Sequence, residues 1–260
     1  MSLYKIPLLL ASYGGTYISL TPPNPPIPQN TKAKGVSSRE RVFSAVVRRY
    51  NGLLKVLYFL YAWLIVGLND RRPGQMVLSS GALLEVAVIL ARQWPSHPIS
   101  QKILTALIRG PASLADRIEL SPMFFAGCTV STICTLIRYR CYRELGRLFT
   151  YEMSIQSEHK LVTQGPYSVV RHPSYPTVIA CVVGLGMCYA AKGSWVRECG
   201  VMDTTSGRAV AGLATMLWAY GSWNAIARTS DEDALLKAKF GTQWDEWAKR
   251  VPYKLIPFIY

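Results

Sequence analysis

Charge is scarce in this sequence, and negative charge is scarcest. Only 17% of the 260 residues are Asp, Glu, Lys or Arg, against roughly 25% in an ordinary soluble domain. The 15 acidic residues are outnumbered by 29 basic ones, a net charge of +14. A nucleic-acid binder gathers positive charge by carrying many charges, and a disordered chain is poor in apolar residues, whereas half of this one is hydrophobic. The composition therefore argues against both. Histidine is rarer still, with three residues (His97, His159, His172), and the six cysteines (Cys128, Cys134, Cys141, Cys181, Cys188, Cys199) include no C-x-x-C pair. No zinc-site spacing can be drawn from them, so neither a metal nor a disulfide framework is expected. No G-x-G-x-x-G follows a strand pattern, which removes the Rossmann fingerprint. What remains is an apolar body with basic edges, the composition of a protein embedded in a bilayer.

Runs free of charged residues are correspondingly prominent. A membrane span needs roughly 20 mostly apolar residues, and three runs approach that length: Leu120–Ile137 (18 residues), Pro173–Ala191 (19) and Ala209–Ala227 (19). Arg138, Lys192 and Arg228 bound them on their C-terminal sides. Three weaker candidates precede them. Leu53–Leu68 carries Lys55 near its end, Met76–Ala91 carries Glu85 at its middle, and Ile6–Leu20 follows Lys5. An intramembrane carboxylate is expensive, so Glu85 is expected to face other helices or water; a short buried helix or shallow hairpin is the alternative there. For Ile6–Leu20 the alternative is a signal peptide. The five prolines of Thr21–Gln29 predict an extended connector. Trp94–Pro98 and Gly110–Pro111 break the chain again, and Ile103–Ile108 is too short to span. These features predict an all-α, multi-span membrane bundle, divided into N-terminal helices and connectors (1–119) and a core (120–260).

Topology follows from the last hairpin. If Pro173–Ala191 and Ala209–Ala227 are consecutive spans, the segments 138–172 and 228–260 share one side; each carries six Lys/Arg, against three in the loop 192–208. The positive-inside bias puts both flanks, and the C-terminal segment, in the cytosol. Membrane lipids are accordingly expected partners, and for Lys237, Lys239, Lys249 and Lys254 attraction to the lipid surface is the simplest role.

The most informative stretch is His159–Pro176, HKLVTQGPYSVVRHPSYP. It follows neither helix nor strand periodicity for long; Gly165–Pro166 marks a turn, and His172–Pro173 disfavours α geometry just before a span begins. By composition alone it reads as a basic juxtamembrane anchor with interfacial tyrosines. The ordered pattern says more. It resembles the isoprenylcysteine carboxyl methyltransferases, integral membrane enzymes that methylate the C-terminal prenylcysteine of processed CAAX proteins. Their H-x-L-V-T-x-G-x-Y-x-x-x-R-H-P-S-Y run is matched by His159, Leu161, Val162, Thr163, Gly165, Tyr167 and Arg171–Tyr175. Downstream, Arg228, Asp231-Glu232-Asp233, Phe240-Gly241, Arg250-Val251-Pro252 and Pro257-Phe258-Ile259 fall in the family's order.

The resemblance implies a cytosolic cofactor pocket built around the last helical hairpin, with no Rossmann domain, in a protein of the endoplasmic reticulum. It implies S-adenosylmethionine as cofactor, with His159, Lys160, Leu161, Val162, Tyr167, His172, Pro173, Ser174, Tyr175 and Glu232 lining its pocket. Arg228 would hold the substrate carboxylate, and prenylated CAAX-protein C-termini would be the partners. A terminal α-carboxyl is already ionised at neutral pH, with a pKa of about 3.5. Direct in-line attack on the sulfonium methyl therefore needs orientation rather than a general base. The sequence departs from the family at Thr177, where glycine is usual, and at Glu152, where glutamine is usual, which puts that residue's cofactor role in question; the loop 192–208 is longer. A phospholipid amine methyltransferase would share the G-x-Y-x-x-x-R-H-P core, and sterol-reductase-like NADPH oxidoreductases have similar C-terminal halves; a non-catalytic scaffold would leave the polar loop unexplained.

The C-terminal flank reads independently as helical. Leu236, Phe240, Trp244, Trp247 and Val251 form one apolar stripe at steps of 4, 4, 3 and 4. Gly241 is placed to split that helix in two, and the stripe is expected to lie on a membrane or cover the site.

Overall fold

The computed structural model describes residues 3–21, 23–24, 73–150 and 160–260. Helix α1 (Lys5–Leu20) is followed by α2 (Pro73–Gln93), α3 (Pro98–Leu107), a 3-10 turn (Ala112–Arg117), α4 (Pro122–Leu145), α5 (Ser174–Ala190), the single turn α6 (Trp195–Glu198), α7 (Thr205–Phe240) and α8 (Thr242–Arg250). There is no strand among the described residues. The expected spans at 6–20, 76–91, 120–137, 173–191 and 209–227 fall on α1, α2, α4, α5 and α7. Among the described residues, the stretch Ser174–Glu198, α5 with the turn α6 after it, is the one long and apolar enough to cross a membrane. The candidate Leu53–Leu68 lies outside the described residues.

Local chemistry sets the helix boundaries. Pro122 occupies the first turn of α4, where its missing N–H costs nothing. Thr204 caps α7 through its hydroxyl, which accepts from the Gly207 N–H at 2.9 Å. The break between α7 and α8 falls on Gly241 at φ 54°, a left-handed conformation that favours glycine. The stripe expected from Leu236 to Val251 is therefore cut, with Leu236 and Phe240 half-buried on α7 and Trp247 buried on α8.

The centre of the bundle is the pair α4 and α5, with α1 packed against both. These two helices approach closely because Gly127 faces Gly184: a Cβ on Gly127 would lie 2.6 Å from the Gly184 carbonyl oxygen. Small residues permit such backbone contact, which larger ones would prevent.

At the end of the bundle away from the R-H-P loop, Lys5 and Glu85 are both fully buried and pair at 2.6 Å. Lys5 Nζ also donates to the Gly193 carbonyl at 2.7 Å and lies 4.4 Å from the centre of the Phe124 ring. Glu85 accepts from the Trp195 N–H at 3.1 Å, and the Trp195 indole donates to the Leu107 carbonyl at 2.8 Å. Glu85 thus faces other helices, as expected, and the long 192–208 segment is a packed cap rather than a free loop: Trp195 and Cys199 are buried. Removing one member of a buried ion pair costs about 3–5 kcal/mol, whereas replacing both by apolar groups is often neutral. Lys5→Met should therefore lower unfolding stability by about that amount in detergent, and Lys5→Met with Glu85→Leu should recover most of it. Equal losses in the single and double variants would contradict the pairing.

Candidate active site

Two stretches distant in sequence meet at the N-terminal end of α5. The R-H-P loop and the chain after α8 pair through their backbones, Arg171 N–H to the Tyr253 carbonyl at 2.9 Å and His172 N–H to the Lys254 carbonyl at 2.8 Å. The Arg171 guanidinium reinforces the strap, donating to the Val251 and Pro252 carbonyls at 3.0 and 2.9 Å. Below it, Tyr167, Cys141, Trp247 and Val251 form a small buried core, with Leu161, Val162 and Trp244 packed against it. The Trp247 indole donates to the Tyr167 carbonyl at 3.3 Å. Helix α8 accordingly turns its tryptophans onto the motif loop and covers it. Burial pushes the Tyr167 phenol well above its ordinary pKa, so it stays neutral.

His172 sits between two carboxylates of α7. Its Nε2 lies 2.9 Å from Asp233 Oδ1, and its Nδ1 lies 3.2 Å from Glu232 Oε2. Adjacent residues on a helix point about 100° apart, which lets this neighbouring pair straddle one ring. With an acceptor at each nitrogen, both must carry hydrogen, so the ring is an imidazolium. Burial alone would lower its pKa, but the hydrogen bonds to Asp233 and Glu232 prevail and raise it. The carboxylates shift the opposite way. Burial would push Glu232 up, yet His172 and Arg228 hold it down at about 2. Asp233 is lowered against its own desolvation, by His172 and then Arg171.

Around this core stand Arg228 Nε, 3.3 Å from Glu232 Oε1, and the Tyr175 hydroxyl, which donates to the same oxygen at 2.6 Å. Arg171 Nη2 is 3.3 Å from Asp233 Oδ2, and Lys254 Nζ is 4.0 Å from it. Arg171, His172, Arg228 and Lys254 thus face Glu232 and Asp233. The excess of positive charge suits an incoming carboxylate, and Glu232, a quarter exposed and ionised, suits a cationic group.

Of the residues expected from sequence, the structure brings together His172, Tyr175, Arg228 and Glu232, with Tyr167, Leu161 and Val162 forming the floor. Lys160 is exposed, and Pro173 is the buried residue preceding α5. The Ser174 hydroxyl and carbonyl are both engaged by the guanidinium of Arg138. His159 and Glu152 lie outside the described residues. Thr177 is accommodated within the first turns of α5, its hydroxyl donating to the Pro173 and Ser174 carbonyls at 3.0 Å. Arg171 is committed to the C-terminal strap. Sequence reasoning missed Asp233 as the partner of His172; the available signal was a carboxylate immediately beside Glu232.

These shifts fix a pH dependence. A raised imidazole pKa contributes stability that is complete below the ordinary value of 6.5 and is lost as pH rises through the raised value. The depressed carboxylates contribute stability that is complete above their ordinary values and is lost as pH falls through the lowered ones. Thermal unfolding followed from pH 6 upward should show the wild type losing melting temperature, with His172→Gln lower at pH 6 and flatter over the same range. Parallel curves for the two proteins would contradict the clamp.

Residues 126–196 match the model of the isoprenylcysteine carboxyl methyltransferase family. The chain is 32% identical over 135 residues to protein-S-isoprenylcysteine O-methyltransferase B of Arabidopsis thaliana, covering 51% of this chain and 58% of that protein. It is 28% identical over 137 residues to a probable protein-S-isoprenylcysteine O-methyltransferase of Oryza sativa subsp. indica, covering 52% and 61%. A shorter similarity, 28% over 101 residues, reaches the mouse Delta(14)-sterol reductase TM7SF2, covering 39% of this chain and 20% of that protein. The chain thus spans about three fifths of the length of the two plant relatives. The family match takes in the R-H-P loop and α5, and it stops short of α7, whose carboxylates are joined to that loop by the geometry above. By this match and these relatives, the stretch 126–196 is similar to the isoprenylcysteine carboxyl methyltransferase family.

Proposed function

We propose that this protein is an S-adenosylmethionine-dependent methyltransferase that esterifies the C-terminal carboxylate of a prenylcysteine. The observation that carries the proposal is the meeting of the R-H-P loop with Arg228 and Glu232 of α7, inside a chain whose 126–196 stretch matches the model of the isoprenylcysteine carboxyl methyltransferase family. When bound, S-adenosylmethionine supplies an electrophilic methyl group on a sulfonium. The residues present fit such a group: Glu232 offers an ionised carboxylate to its cationic end, and the surplus of basic side chains tolerates its carboxylate.

In this reading each side chain has a task suited to its surroundings. Arg228 orients the substrate carboxylate, which is ionised at neutral pH and needs no base to activate it. His172, held as an imidazolium, keeps Glu232 and Asp233 ionised and fixed. Tyr175 donates to Glu232 and limits its rotation. Trp244 and Trp247, packed on the loop from α8, keep water from it. The prenyl chain favours the bilayer, with about 0.8 kcal/mol for each buried CH₂. We accordingly place α5 across the membrane of the endoplasmic reticulum, with α4 and α7 beside it and the site facing the cytosol. The apolar side chains exposed on α4 and α7, among them Phe125, Ile133, Leu136, Val210, Met216 and Trp223, support that placement.

Membranes containing the chain should transfer a labelled methyl group from S-adenosylmethionine to N-acetyl-farnesylcysteine as a base-labile ester. Arg228→Ala should lower turnover about 100-fold, and Glu232→Gln should raise the KM for S-adenosylmethionine about tenfold, the scale of a lost charge-assisted hydrogen bond. Label recovered in phospholipid amines, or NADPH oxidation with a sterol and no ester, would overturn the proposal.

A further inference from the structure

The described sequence between Phe149 and Ser174 contains the residues on which the proposed cofactor pocket depends, from Lys160 to His172, and a single guanidinium touches the chain at both ends of that stretch. Arg138, in the C-terminal half of α4, is 3% exposed. Its Nη1 donates to the carbonyl and the hydroxyl of Ser174, the first residue of α5, both at 2.5 Å. Its central carbon lies 5.7 Å from the ring centre of Phe149, where the chain leaves the 146–148 turn, and 5.2 Å from that of Tyr142. Its Nε donates to the Ser19 carbonyl at 2.6 Å, bringing in the C-terminal end of α1, and Tyr142 donates to the same carbonyl at 2.8 Å. The entry is braced a second time by Asn24, whose amide donates to the Gly146 and Phe149 carbonyls at 2.8 and 2.9 Å.

We infer that Arg138 is a positioning residue for the cofactor: it holds the chain at Phe149 and at Ser174, where the motif loop ends, to α1 and α4 and so sets the pocket's shape. Several properties suit it to this task. A planar guanidinium directs its donors in fixed directions, which lysine cannot copy. Burial among carbonyls and aromatic faces makes each contact strong, because the alternative is an unsatisfied charge. The Ser174 hydroxyl, spent on Arg138, does not face the cofactor; Ser174 acts through where it puts Tyr175, its neighbour, whose hydroxyl reaches Glu232. The contacts above join Arg138 to Ser19, Tyr142, Phe149 and Ser174, so its effect on Arg228 and Glu232 runs through the loop.

The inference rests on the proposed use of S-adenosylmethionine, but it is read by binding rather than by turnover. Equilibrium dialysis of labelled S-adenosylmethionine against the purified full chain gives both an affinity and a number of sites, and unfolding is followed alongside. Arg138→Lys is expected to weaken binding at least tenfold while keeping one site per chain. The milder Phe149→Leu and Ser174→Ala, each removing one end of the latch, should weaken it about threefold or more. A merely structural role would lower the number of competent sites and the melting temperature and leave the affinity of the remaining sites unchanged. Affinities within twofold of wild type in all three folded variants would overturn the inference. If the wild type binds the labelled cofactor but forms no prenylcysteine ester, the reaction proposed above fails while this inference is still decided. If the wild type does not bind it at all, both fail.

Discussion

The clamp of His172 between Glu232 and Asp233 is the interaction on which the arrangement of the site depends. It joins a loop with no regular structure of its own to the longest helix of the described chain, and it does so with charge. A neutral imidazole could donate to only one of the two carboxylates, leaving the other facing a lone pair. The charge states of three side chains are thus mutually determined, and with them the placement of Tyr175 and Arg228. Strapping of the loop to residues 251–254 and its cover by Trp247 are consistent with this single geometry.

The bundle beneath follows the same economy of charge. Where acidic residues are few, those that are buried are paired. Glu85 meets Lys5 at one end of the helices, and Glu232 and Asp233 meet His172, Arg171 and Arg228 at the other. Between them, α4 and α5 touch through glycine and small polar residues, a contact that lets the N-terminal turn of α5 be held at a defined height. The net positive charge that remains lies mostly outside these pairs.

Much of this was legible in the sequence, for local reasons. Charge-free runs marked the helices, Gly241 marked the break between α7 and α8, and the order of motifs marked His172, Tyr175, Arg228 and Glu232. What was not legible depends on distant contacts. Ala209–Ala227 was read as a span followed by a separate flank. The two are one helix, Thr205–Phe240, so Arg228, Glu232 and Asp233 ride on a rigid extension of it. The stripe from Leu236 to Val251 obeyed helical spacing, but the left-handed glycine redirected its second half. Arg138 looked like the edge of an apolar run, because nothing in periodicity reveals that Ser19 and Ser174 converge on it. Asp233 was one acid among three until the fold set it 2.9 Å from a histidine 61 residues away in sequence.

The protonation of His172 tests this account most directly. The chain has three histidines, so histidine-labelled protein gives few imidazole resonances to titrate by NMR, with His172→Gln assigning the one in question. His172 should titrate above its ordinary midpoint of 6.5, and Asp233→Asn should move its titration down. A midpoint at or below 6.5 that Asp233→Asn leaves in place would contradict the clamp and the site built on it.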